Sequence, residues 1–156
     1  MHIERAIELH RAKIEPALGR PRGAPEAEVL ALERRLDVRF PAAYREYLRW
    51  MGNDYEGALQ GSDCFIRDVE TNAKGLQRLL LENGVAHPSS RPIVFFLHQG
   101  YIACWFDAAD QREDPEVSCF HENGESRAIM TMVTFSEWLF EELLGISMCL
   151  EGQRTN

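Results

Sequence analysis

A chain of 156 residues, 45% hydrophobic and 27% charged, fits one ordinary domain that buries about two-thirds of the surface its unfolded form exposes; disorder is excluded for most of its length. The net charge is −8, and residues 51–156 hold seven basic against seventeen acidic side chains while residues 1–50 hold ten against eight. That balance excludes nucleic acid as a partner and favours a basic one.

In chain order, HIERAIELHRAKI places Ile3, Ala6, Ile7, His10 and Ile14 three or four apart, which predicts an amphipathic helix ending near Pro16. It is no secretory leader, and nowhere do eighteen apolar residues run together, so the expectation is a cytoplasmic protein without a membrane span. GRPRG, residues 19–23, reads as a turn. A second helix is predicted from Pro25, suited to the first helical position, with Val29, Leu32 and Leu36 as its buried stripe. Pro41 then separates it from a third helix, in which Tyr44, Tyr47, Leu48 and Met51 share one face. Gly52 is expected to close that helix in the left-handed conformation. The tyrosines are therefore read as core, and Trp50, off the stripe, as partly exposed.

CFIR, residues 64–67, reads as a short strand, and ETNAKGLQRLLLENG as a helix ended by Gly84. PIVFFLH and YIACWFD flank Gln99-Gly100 as a hairpin whose strands are apolar on both faces: Ile93, Phe95 and Leu97 on one, Val94 and Phe96 on the other. Strands of that kind sit centrally, covered on both sides. A second hairpin is predicted at Asn123-Gly124, a pair suited to a type I′ turn. Thr134 and Glu137 form a capping box, Val133 and Trp138 a staple, and Gly145 marks the expected stop of the last helix. Residues 152–156 offer nothing to pack, leaving 151–156 as a flexible tail. Helices, hairpins and a final helix together predict an α+β domain with a mainly antiparallel central sheet, flanked by N-terminal helices and a C-terminal helix.

Signatures of catalysis are weak. Cys64, Cys104, Cys119 and Cys149 lack CxxC spacing and are read as reduced, structural thiols. A nucleophile built from Cys104, His98 and Asp107 has no helix N-terminus or sharp turn to activate it. Cys119 and His121 share a strand face but lack a second ligand pair, so no metal or other cofactor is expected. His98 is read as a turn-fixing residue, and the carboxylates of Asp54, Glu56 and Asp63 as solvated. No Gly-rich phosphate loop, GxSxG or HExxH occurs. One charged feature remains: Asp107, Asp110, Glu113, Asp114 and Glu116 against the single base Arg112, on a loop between hairpins. Like charges on a rigid scaffold steer a basic partner, so these five are the candidate partner-binding residues.

The segment EVLALERRLDVRFPAAYREYLRWMGND resembles the N-terminal signature of the SUKH superfamily, through Glu33 in LERRL, Phe40-Pro41, Tyr44, Leu48 and the glycine turn after them. FFLHQGYIACWFD and TFSEWLFEELL are similar to its later strand pair and last helix, extending the resemblance over residues 25–145. Gly23-Ala24, where the family often has a Ser or Thr cap, and Gly52-Asn53, where it often has Asn-Gly, depart from the pattern. The resemblance implies a single domain over residues 1–150 and a non-enzymatic role. In bacteria that role is an immunity protein neutralising a cognate toxin, in many cases a nuclease whose basic cleft an acidic inhibitor complements. A regulatory adaptor without a toxin is the alternative.

Overall fold

The computed structural model describes residues 1–88, 91–124 and 129–154. Its first surprise lies at Pro16, which does not end the opening helix. Helix α1 (Glu4–Leu9) widens into a π-turn over His10–Ile14 and continues as α2 (Glu15–Leu18). The last amide before the proline, that of Glu15, reaches the carbonyl of His10, five residues back. Widening the ladder there lets the chain absorb a residue that cannot donate. The helix ends instead at Gly19, where φ is 84°.

Helices α3 (Glu26–Leu36) and α4 (Ala42–Met51) follow. Pro25 acts one position earlier than expected, and both it and Pro41, which separates the helices as expected, are caps with extended ψ of 146° and 151°. Gly52 does not take the left-handed form, since its φ is −62°. The departure at Gly23 has a steric origin, because a Cβ there would collide with the carbonyl of Arg49.

Strand β1 is Ser62–Asp63, earlier and shorter than the expected 64–67; Cys64, Phe65 and Ile66 instead fill the core from a loop. Helix α5 (Val69–Glu82) is followed by β2 (Pro92–His98), β3 (Ile102–Asp107), β4 (Glu116–His121), β5 (Met130–Thr134) and α6 (Phe135–Arg154). The five strands form an antiparallel meander in the order β1-β2-β3-β4-β5. The α+β fold class is thus borne out.

The β2–β3 hairpin pairs His98 with Ile102, a three-residue connection in which Gln99 and Gly100 have φ of 48° and 79°. A bulge lies in β2, where Val94 faces Trp105 and Phe96 faces Cys104, leaving Phe95 as the extra residue. It corrects the expected alternation. Ile93, Phe95 and Phe96 all join the main core, and Val94 and Leu97 join Leu76, Leu79 and Leu80 of α5. Both sheet faces are therefore covered. Neither Asn123 nor Gly124 has positive φ, so the type I′ turn is absent; β5 begins at Met130, and residues 125–128 of the expected strand lie outside the described residues.

Tyr44 and Tyr47 are 0% and 1% exposed, within a cluster of rings that includes Phe40, Phe95, Phe106 and Phe135, so α4 spends its aromatic face on the interior. Trp50 is half-buried, edge-on to His10. Helix α6 runs through Gly145 and into the expected tail as far as Arg154, with Glu151 paired to Lys13 at 2.9 Å. Residues 155–156 lie outside the described residues.

Candidate partner-binding surface

The acidic loop between β3 and β4 is held by backbone. The Ala43 amide, an orphan at the start of α4, donates to the Glu113 carbonyl at 2.9 Å; the Phe135 amide at the start of α6 donates to that of Pro115 at 2.9 Å; and Ala108 donates to Arg91 at 2.9 Å. These bonds fix the loop to two helix N-termini and the approach to β2.

Within this frame the five candidate acids take different tasks. Asp107 accepts the Ala109 amide at 2.9 Å, closing the turn that leaves β3. Asp110 accepts the Arg112 amide at 3.0 Å and grips its guanidinium at 2.8 Å, while another arm of Arg112 reaches Glu116 at 2.8 Å. The hydrogen bond from Arg112 holds both carboxyls below the usual range. Asp114 is drawn away to cap α6, accepting the Ser136 amide at 2.9 Å and its hydroxyl at 2.6 Å. Glu113 keeps the most water, its side chain 77% exposed and 3.4 Å from His2. Arg112 thus brings Asp110 and Glu116 together, whereas Asp114 belongs to the fold.

Opposite the loop lies a wall that sequence reasoning missed. A cleft of about 750 Å³ separates residues 107–113 from the 37–49 segment, and Arg39, Arg45, Arg49 and Arg91 line it. Arg45 is tied to Glu33 at 2.9 Å, and Arg49 pairs with Glu26. Arg91 donates to the Leu36 carbonyl at 2.9 Å. Glu46, on the same wall, accepts the amides of His2 and Ile3 at 2.8 and 3.2 Å, so the chain's start is clamped against α4. The one sequence signal was the basic excess of residues 1–50.

The other candidate chemistry is not assembled. Cys104 and Cys119 face each other across β3 and β4, Cα atoms 4.2 Å apart, and form a disulfide. This corrects the reading of four reduced thiols and removes both the sulfur nucleophile and the Cys119–His121 ligand pair. Cys64 and Cys149 are free; burial pushes the Cys64 thiol up to about 12. The His98 ring meets the Ser62 hydroxyl at 2.8 Å, joining β1 to β2 rather than fixing the hairpin tip. Asp54 is buried and accepts the Arg22 amide, Glu56 lies 3.7 Å from Arg22, and Asp63 belongs to β1. Among the described residues no group of three or more His, Cys, Asp or Glu could hold a metal ion, and no helix is long and apolar enough to cross a membrane.

The profile of the SMI1 / KNR4 family (SUKH-1) matches residues 23–141, from the glycine packed on Arg49 to the second turn of α6. No curated protein matches the chain.

Proposed function

The chain belongs to the SMI1 / KNR4 family (SUKH-1), and from that premise we propose that it is a non-enzymatic immunity protein. It binds a cognate bacterial toxin in the cytoplasm and neutralises it by covering the active site or a neighbouring surface. The observation that carries this reading is the acidic loop bonded by backbone to α4, α6 and the approach to β2. A loop held in this way meets its partner with little ordering cost. Glu113 and Glu116 lead the contact, being the more exposed of the five acids, and Asp107, Asp110 and Asp114 set the shape of the loop around them. Net charge of −8 favours a basic partner such as a nuclease, and steers it into place.

The test is capture of the protein encoded beside this gene, followed by titration of its toxic activity. Stoichiometric loss of that activity, with an association rate that falls as salt rises, is the expected result. Capture without inhibition would transfer the protein to the adaptor class.

A further inference from the structure

Five arginines and five carboxylates line the cleft, and they are segregated. Arg39, Arg45, Arg49 and Arg91 approach from one side, and Asp107, Asp110 and Glu113 from the other, where Arg112 is bound up by Asp110 and Glu116. The acids on the arginine side answer Arg45 and Arg49 but leave Arg39 and Arg91 without a carboxylate partner among the described residues. Glu46 is taken by two amides, and the remaining one lining the cleft is Asp37. Arg45 pairs with Glu33 and shares Glu26 with Arg49, and among the described residues the Nε of Arg45 is buried without an acceptor. Arg91 spends donors on the carbonyls of Leu36 and Asp37, and Arg39 is exposed with no partner among the described residues. A second depression of about 530 Å³ shares Asp37, Val38 and Arg39 with the first and adds the exposed Arg34, which has no ion-pair partner among the described residues.

A polyanion is repelled by the loop, and a polycation by the wall. Between them Val38, Pro41 and Ala108 supply apolar lining. The two depressions adjoin at Asp37, Val38 and Arg39, and their combined extent suits an extended chain better than a compact small molecule. We infer that this cleft seats a bipolar segment of the partner protein, with an acidic side chain against Arg39 and Arg91 and a basic side chain against Glu113 and Asp107. The inference rests on the proposed protein–protein role and specifies its contact chemistry.

Three labelled peptides of equal length test it by fluorescence anisotropy with the full chain: one carrying a glutamate pair and a lysine pair about an apolar spacer, one all-glutamate and one all-lysine. The bipolar peptide is expected to bind at least about tenfold tighter than either other, a difference of ~1.4 kcal/mol. Arg39→Glu and Glu113→Lys, both at exposed positions, are each expected to remove that preference while thermal unfolding stays unchanged. Tightest binding of the all-lysine peptide overturns the inference and leaves the acidic-loop reading standing. Tightest binding of the all-glutamate peptide, equal binding by free glutamate or lysine, or no binding overturns it as well. Failure to capture the neighbouring gene's product is a separate result, against the immunity reading itself.

Discussion

The carboxylate of Glu33 accepts the amide of Phe40 at 2.6 Å with one oxygen and holds Arg45 at 2.9 Å with the other. One buried side chain thereby ties the end of α3 to the start of α4 and shapes the arginine wall. Removing it strands the Phe40 amide and leaves a largely buried guanidinium only its longer contact to Glu26 at 3.6 Å, so Glu33→Ala is expected to cost roughly 2–3 kcal/mol. Glu33→Gln keeps an acceptor for Phe40 and should lose less. Urea denaturation of the two variants, compared at equal m-value, checks the order.

The Cys104–Cys119 disulfide closes a loop of sequence separation 15 around the acidic segment. Chain entropy puts its contribution at about 3 kcal/mol, so the paired change Cys104→Ala with Cys119→Ala should lower stability by about that amount. Thiol titration gives an independent reading. The native chain should react quickly at the exposed Cys149 and slowly at buried Cys64, two thiols should titrate in denaturant, and four only after reduction.

The loop acids should separate by variant. Asp114→Ala removes the acceptor for Ser136 and should cost about 1 kcal/mol of stability, with Asp114→Asn recovering part of it. Glu113→Gln, at a side chain 77% exposed, should leave thermal unfolding unchanged and slow association with the captured toxin. Equal effects of Asp114 and Glu113 on stability would contradict this division.

These divisions show why parts of the molecule were legible in sequence and parts were not. The α4 stripe of Tyr44, Tyr47, Leu48 and Met51 is a local periodic signal, and burial followed it. Glu137 does reach back to the Thr134 amide at 3.0 Å, as a four-residue motif predicts. Phe95 was assigned to the right face but Phe96 and Leu97 were not, because a bulge depends on the register of the partner strand. The same register, Cys104 opposite Cys119, creates the disulfide. Likewise Arg39, Arg49 and Arg91 become neighbours of one cleft only once α3, α4 and β2 are packed. Asp114 sits in an acidic run like its neighbours, and nothing in the run marks it as a cap for a helix more than twenty residues on.

The two buried tyrosines of α4 offer a paired contrast. Tyr47 donates its hydroxyl to the Cys64 carbonyl at 2.9 Å, whereas the Tyr44 hydroxyl is buried without a partner among the described residues. Tyr47→Phe should cost roughly 1–2 kcal/mol by stranding a buried carbonyl, and Tyr44→Phe should be neutral or stabilising. Chemical denaturation resolves a difference of that size.

His10 sits in the π-turn, 1% exposed and edge-on to Trp50 at 5.3 Å. Burial holds its pKa below the ordinary 6.5, with Asp54 and then Glu15 opposing that effect less strongly. In the unfolded chain the imidazole takes up its proton near 6.5, so between that value and the lower folded pKa the unfolded state binds more protons. Stability contributed by neutral His10 is therefore complete above pH 6.5 and is lost as pH falls through the folded pKa. The melting temperature should drop between pH 7.5 and pH 5.5, and His10→Phe, which keeps an aromatic ring against Trp50 without a titrating group, should flatten that drop. An unchanged slope in the variant would assign the pH dependence to other groups.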